Sequence, residues 1–369
     1  MDVKRIAILG STGSIGRQTL DVIRAFPLRF QVVALAAGKN LEMLQAQIAE
    51  FRPSLVACDG LLSNGAYTLV SLEEMASHPQ VDMVVVATAG KAGLSPTLTA
   101  LRAGKGVALA NKEVLVMAGE IVMTEAKKAG VQIRPVDSEH SALWQCLQGE
   151  DRKVIFRLIL TASGGPFRHL SLEEMARVTA EEALHHPTWL MGQKVTIDAA
   201  TLMNKGMEAI EAHWLFEVPY SQIEIAIHPQ SIVHSLVEFV DGSLKAQLGP
   251  PDMRLPIQYA LTYPQRWANT QLPRLSSLVD LHFSSPDLKR FPCLRLALEA
   301  GEVGGTMPSV LCAADEVAVG LFLAGRIGFM DIPRLVEGVL GAHSNIVQPT
   351  LESILAADVW AREWLQVRI

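Results

Sequence analysis

The chain has 369 residues, 49% hydrophobic and 19% charged, which is enough for two or three domains with buried cores and excludes a disordered or low-complexity protein. Its formal net charge of -6 comes with no Lys/Arg-rich block, so composition gives no footprint for nucleic acid or acidic lipid. The first residues, Met1-Asp2-Val3-Lys4-Arg5-Ile6, lack the apolar core of a signal peptide, and no uncharged stretch approaches the roughly 20 residues of a membrane span, so a cytoplasmic protein is expected. Cys58, Cys146, Cys293 and Cys312 are scattered without zinc-ligand spacing and read as ordinary reduced residues.

Ile6-Ala7-Ile8-Leu9 reads as a strand, the glycine turn Gly10-Ser11-Thr12-Gly13-Ser14-Ile15-Gly16 follows, and a helical pattern with Leu20, Val22, Ile23 and Phe26 comes next. That order offers backbone N–H groups and a helix N-terminus to a phosphate, although a glycine-rich turn also serves as plain connection. A second strand is expected over Phe30 to Ala36. At its end stand Ala37-Gly38-Lys39-Asn40, with a lysine where a free ribose 2'-hydroxyl would call for Asp or Glu, so NADP is favoured over NAD unless Lys39 is a solvated loop charge. Strands over Val81 to Ala87 and Gly106 to Ala110 alternate with helices over Leu94 to Ala103 and Glu120 to Ala129, the mark of a doubly wound α/β sheet. Its ligand crevice lies at the carboxyl ends of the strands, where Asn111-Lys112-Glu113 and Asp137-Ser138-Glu139 fall.

Pro135-Val136-Asp137-Ser138-Glu139-His140 brings two carboxylates close after the apolar run Val131 to Val136. As the end of a strand, that run puts Asp137 and Glu139 on one side, and their repulsion then needs a shared proton, a basic partner or a hard cation. Asp-Ser-Glu after a strand is also common loop and helix N-cap chemistry, the reading that these six residues alone favour while leaving the other open.

From Asp151 the runs look antiparallel. Thr161-Ala162-Ser163-Gly164-Gly165-Pro166-Phe167 can offer a hydroxyl and amides to an anion, or make a plain turn. His185 to Gly192, with Trp189 and Met191, reads as a loop able to close over a ligand. From Leu202 the spacing is helical and sets Asn204 and Glu208 on one face with Lys205 beside them, a grip for phosphate and metal or a solvated face. His234 is expected to be packed. Strands over Leu236 to Val240 and Leu244 to Leu248 flank the turn Asp241-Gly242. Pro264 to Leu288 reads as a linker, and helices over 294–300, 310–324, 332–341 and 350–366, with Ser309 and Asp331 as possible caps, make a small helical domain.

In this order, from end to end, the motifs resemble the 1-deoxy-D-xylulose 5-phosphate reductoisomerase family, NADPH-dependent enzymes of the non-mevalonate isoprenoid pathway. They are Gly-Ser-Thr-Gly-Ser-Ile-Gly at 10–16, Ala-Gly-Lys-Asn at 37–40, Ala-Asn-Lys-Glu at 110–113, Pro-Val-Asp-Ser-Glu-His at 135–140 and Ser-Gly-Gly-Pro-Phe at 163–167. His-Pro-x-Trp-x-Met-Gly at 186–192, Met-Asn-Lys-Gly-x-Glu at 203–208 and Ile-His-Pro-Gln-Ser at 227–231 complete the set. The resemblance implies an N-terminal Rossmann-like NADPH domain (1–150), an α+β catalytic and dimerisation domain (151–263) with a flexible loop near 185–193, a linker (264–288) and a C-terminal helical domain (289–369).

It further implies that Asp137, Glu139 and Glu208 bind one divalent cation, Mg or Mn, and that Lys112, Ser138 and Glu139 meet the ketose backbone of a sugar phosphate. Ser163, His186, Asn204 and Lys205 would hold the rest, chiefly the phosphate. Lys112, Glu139, Glu208 and His186 carry the catalytic roles. The cofactor would lie on Thr12, Gly13, Ser14 and Ile15, with Gly38, Lys39 and Asn40 near its adenosine end and Asn111, Glu113 and Gly192 nearer the nicotinamide. A homodimer belongs to the same expectation, as do the absence of nucleic-acid and membrane partners.

Two positions depart from the family pattern. Ala199 stands where a phosphate-binding serine is usual, with water, Thr196 or Thr201 as candidates to replace its hydroxyl. Cys312 and Asp315 stand where asparagines are usual. The competing readings are another two-domain NADP-dependent dehydrogenase of the semialdehyde or homoserine type, and a catalytically silent NADPH-binding protein.

Overall fold

The computed structural model describes residues 3–60, 65–186, 188–189, 191–275 and 280–368. Its N-terminal part runs β1 (Lys4–Leu9), α1 (Ser14–Ala25), β2 (Phe30–Ala37), α2 (Leu41–Phe51), β3 (Leu55–Cys58), β4 (Thr68–Leu69), α3 (Leu72–Ser77), β5 (Met83–Val86), α4 (Leu94–Arg102), β6 (Gly106–Leu109), α5 (Glu113–Ala129), β7 (Ile133–Pro135) and α6 (Ser138–Cys146). Then come β8 (Ile155–Ala162), α7 (Leu172–Met175), α8 (Ala180–Leu184), α9 (Gln193–Thr201), α10 (Met203–Phe216), β9 (Ile223–Ile227), β10 (Val233–Phe239), β11 (Leu244–Leu248) and α11 (Arg254–Thr262). The last helices are α12 (Pro292–Val303), α13 (Met307–Leu323), α14 (Asp331–Ala342) and α15 (Leu351–Gln366).

The chain divides into two compact units. The first holds Met1–Val114, Glu120–Ser141 and Asp252–Arg274, and the second Leu115–Gly119, Ala142–Pro251 and Leu275–Ile369. In the first, seven parallel strands lie in the order β4-β3-β2-β1-β5-β6-β7. Near-continuous apolar runs explain the parallel pairing, because strands covered by helices on both faces must be buried on both. The strand order reverses between β1 and β5, the switch point beside which such sheets bind ligands.

The segment 252–274, expected to end one domain and begin a linker, folds instead with this sheet. Ile257, Ala260 and Leu261 of α11 join a core with Ile6, Ile8, Leu20 and Leu35. Lys4 Nζ donates to Leu261 O (2.6 Å) and Arg134 Nη1 to Ala260 O (2.8 Å), closing the last carbonyls of α11 with cations.

The second unit has a four-stranded sheet ordered β11-β10-β8-β9, in which β10 is antiparallel to β8 and β11 while β9 is parallel to β8. The antiparallel expectation thus holds for part of the sheet only, since the chain passes through α7 to α10 between β8 and β9. The C-terminal helices belong to this same unit rather than standing apart: a Cβ on Gly206 of α10 would lie 2.3 Å from Ala297 Cβ of α12, so the two helices meet at a backbone-close contact. Ser309 is no cap. It lies buried within α13 and donates to Ile354 O, whereas Asp331 begins α14 and accepts from Gly328 N–H. Part of the expected linker, residues 276–279, lies outside the described residues, as do Pro187 and Leu190 of the 185–193 loop.

Candidate active site

In the first unit the expected cofactor residues sit at the carboxyl ends of neighbouring strands. The turn after β1 is fixed by Gly10 and Ser11 N–H donating to Ala36 O, and from α2 by the buried Gln47, which exchanges hydrogen bonds with the Ser11 hydroxyl and carbonyl. Gly16 permits it: a Cβ there would fall 2.2 Å from Gly10 O and 2.5 Å from Ser11 Cα. Gly13 begins α1 and no side chain caps that helix, so the amides of its first turn are left for an anion. Gly38 and Lys39 are exposed just past β2, while the Asn40 side chain caps α2 by accepting from Met43 N–H.

Asn111, 2% exposed after β6, donates to Thr88 Oγ1 and Gly90 O, and its Oδ1 is a buried acceptor with no partner among the described residues. A carboxamide N–H, such as the one nicotinamide carries, suits that atom. Lys112 precedes α5 and Glu113 starts it.

The strand-alternation reading of Asp137 and Glu139 is corrected by the backbone. β7 ends at Pro135, Asp137 O accepts the first helical bond of α6 from Ser141 N–H, and Glu139 lies in that helix's first turn. The pair shares a helix N-terminus rather than a strand face, because the chain turns at Val136. Of the three expected ways to offset their repulsion, a basic partner is present: Lys112 Nζ lies 2.6 Å from Asp137 Oδ2, with both side chains less than one-sixth exposed. Ser138 Oγ donates to Glu139 Oε2 (2.5 Å). The donors gathered here are carboxylate oxygens, as a hard cation requires.

In the second unit, β8 delivers Ser163 to a turn in which Gly164 and Gly165 have positive φ. Gly165 is obligatory, since a Cβ would lie 2.7 Å from Ala199 O; the turn thus meets α9 backbone to backbone. His186 follows α8, whose Thr179–Glu182 capping box fixes where the loop begins. Thr188 and Trp189 N–H donate to His186 Nδ1 (3.1 and 2.9 Å), so in the neutral ring the proton is on Nε2, 3.0 Å from Ser163 Oγ.

Ser163 Oγ accepts this proton and Gly165 N–H (3.2 Å), which leaves its own hydrogen free for a ligand oxygen. Burial, and secondly the Arg168 charge, push the His186 imidazole down to about 4, so it is a neutral donor at neutral pH. His234 is packed as expected: burial brings it to about 4 as well, and its ring lies 6.2 Å from that of Trp189, a contact for the loop.

Leu202, a buried non-glycine residue at φ 60°, joins α9 to α10, a strain on the order of 1–2 kcal/mol that surrounding packing must hold. This joint starts α10 at Met203 and lines up Asn204, Lys205 and Glu208. Glu208 is 1% exposed: Asn204 Nδ2 donates to Oε1 (2.5 Å) and the Lys205 ammonium to Oε2. The solvated-face alternative therefore does not hold, because the cluster is interior. Gly192 is the exposed N-cap of α9.

Of the candidates to replace a hydroxyl at Ala199, the threonines are committed, Thr196 Oγ1 donating to Gly192 O and Thr201 Oγ1 to Asp198 O. Restoring the hydroxyl beside the Ser163 turn, Ala199→Ser is expected to lower the KM for the sugar phosphate about 2- to 10-fold with kcat little changed, the scale of one neutral hydrogen bond. Steady-state kinetics check this, and an unchanged KM counts against it. Asp315 is not a bystander of the helical tail either. Lys194 Nζ of α9 lies 2.6 Å from Asp198 Oδ2 and 2.7 Å from the fully buried Asp315 Oδ2 of α13.

Sequence reasoning missed Gln47 and Lys194, whose contacts with Ser11 and Asp315 are distant in the chain, and Arg168, whose stem packs against the Ser163–Gly165 turn.

Comparisons with known proteins agree over the whole length. The family model described as 1-deoxy-D-xylulose 5-phosphate reductoisomerase matches residues 6–119, that of its C-terminal domain residues 133–216, and that of the DXP reductoisomerase C-terminal domain residues 248–364. The 1-deoxy-D-xylulose 5-phosphate reductoisomerases of Pelotomaculum thermopropionicum and Heliobacterium modesticaldum are each 55% identical, the first covering 98% of this chain and 97% of the relative, the second 100% and 98%. A solved DOX-P reductoisomerase in complex with NADPH, fosmidomycin and magnesium superposes with a TM-score of 0.93 at 42% identity, covering 99% of this chain and 98% of the other. The Zymomonas mobilis enzyme in complex with NADPH gives 0.90 at 42% identity, with 98% of each chain covered. The chain belongs to the 1-deoxy-D-xylulose 5-phosphate reductoisomerase family.

Proposed function

We propose that Asp137, Glu139 and Glu208 hold one divalent cation, magnesium or manganese, and that Thr12 to Ile15, Gly38 to Asn40, Asn111, Glu113 and Gly192 hold NADPH. The reaction follows from family membership: 1-deoxy-D-xylulose 5-phosphate is isomerised and reduced to 2-C-methyl-D-erythritol 4-phosphate in isoprenoid precursor synthesis. The dehydrogenase and silent-binder readings are not favoured by a match that runs end to end. The observation that carries the metal assignment is Glu208, a carboxylate with 1% exposure set between Lys205 and Asn204. An interior carboxylate is costly to keep unless partners and a task hold it there.

When bound, the cation would supply Lewis acidity toward the adjacent carbonyl and hydroxyl oxygens of the ketose, and NADPH the hydride. The chain's own residues bind and orient. Lys112 is placed to stabilise negative charge on a substrate oxygen, Ser138 and Glu139 to take the ketose hydroxyls. Ser163 offers its free hydrogen to a phosphate oxygen, neutral His186 fixes that hydroxyl, and Asn204 and Lys205 donate to the same group. Trp189 and Met191 would exclude water as the loop closes, with binding of the remote phosphate orienting the reacting end.

The family reading assigns NADPH binding to the domain at 1–150 and catalysis to the one that begins at 151, while 252–274 folds with the first unit and the C-terminal helices with the second. A homodimer through the second unit is supported by the edge strand β11, where Leu244 and Leu248 are exposed apolar residues that a partner would cover. A cytoplasmic location accords with a chain in which no described helix is long and apolar enough to cross a membrane.

The test is NADPH oxidation with the ketose phosphate: dialysis against a chelator should abolish turnover and magnesium or manganese restore it. Full turnover after chelation would remove the cation from the reaction.

A further inference from the structure

Arg168 is a half-buried cation without an obvious task. Its stem lies under the phosphate turn, where a Cβ on Gly164 would meet Arg168 Cβ and Cδ at 3.3 Å. Nη1 makes a long contact of 3.4 Å with Gly165 O, and Nε is buried with no hydrogen-bond partner among the described residues. Among the described residues no carboxylate pairs with it, whereas its neighbour Arg290 is paired with Asp287 2.9 Å away. A half-buried guanidinium with a buried, unbonded Nε gains from a counter-ion, and an anion arriving at the turn would supply one. The charge is felt there already, since it helps to keep His186 neutral.

We propose that Arg168 is the fixed counter-charge of the substrate phosphate, a positioning residue that acts through the Ser163–Gly165 turn rather than by touching the substrate. It rests on the assignment of that turn to the phosphate. Half-buried beside the turn, the charge is screened less than that of a fully exposed lysine, so it favours the dianionic end of the substrate from the moment of encounter.

Steady-state NADPH oxidation by Arg168→Gln and Arg168→Lys tests this. Arg168→Gln should raise the KM for the sugar phosphate about tenfold, the scale of one screened charge, with kcat within about twofold and the KM for NADPH unchanged. Arg168→Lys, which keeps the charge, should stay within about threefold of wild type. Equal losses in kcat and in both KM values would show a merely structural role and overturn the proposal, as would an unchanged KM in Arg168→Gln. Ser163→Ala separates the two levels: if it leaves the KM for the sugar phosphate unchanged, the assignment of the turn itself fails.

Discussion

Glu208→Gln is expected to lower kcat about 100- to 1000-fold at saturating divalent cation, the usual loss when one charged group aimed at the reacting centre is removed. The substitution keeps the shape of the side chain and one acceptor for its neighbours, so the fold of α10 should survive and far-ultraviolet circular dichroism should be unchanged. What disappears is one of the three negative charges proposed to hold the cation. A Glu208→Gln protein with wild-type turnover would remove Glu208 from the role proposed for it.

Lys205→Met should destabilise the metal-free chain by about 3–5 kcal/mol, the cost of removing one member of a buried ion pair. Lys205 and Glu208 are 4% and 1% exposed, and the substitution takes away the ammonium beside that carboxylate while Asn204 Nδ2 still donates to it. A divalent cation can take the place of the ammonium. Magnesium should therefore raise the urea midpoint of the variant more than that of wild type, because a ligand that binds only the folded state stabilises it. The KM for the sugar phosphate should rise as well, since the same ammonium is assigned to the phosphate. A variant that unfolds at the wild-type midpoint without metal would contradict the pairing.

The parts of the fold legible in the sequence were those set by local pattern. Apolar runs such as Ile6 to Leu9 and Met83 to Val86 had only one way to be buried, and Gly10 to Gly16 announced a strand-turn-helix. The return of 252–274 to the first sheet was not legible, because it depends on Lys4 and Arg134 reaching carbonyls of α11 far along the chain. Nor was the burial of the Asn204–Glu208 face, which looks polar in the sequence and is covered by packing that the sequence does not state.

The Asp137-Ser138-Glu139 motif shows the limit most clearly. Its chemistry was legible as crowded carboxylates needing an offset, while its geometry was not: Pro135 ends the strand, and the two acids meet as the first residues of a helix. The bland N-cap reading and the metal reading describe the same backbone. Lys112 holds Asp137 in the metal-free chain, and a cation would take over that compensation.

The most direct test of the central claim is a titration of the chain with Mn2+, followed by electron paramagnetic resonance of the free ion, for wild type and Glu208→Gln. One tight site per chain is expected in wild type, weakened about 100-fold or more in Glu208→Gln, in line with loss of a charged oxygen ligand. Equal affinity in the two proteins would contradict the assignment of Glu208 to the cation.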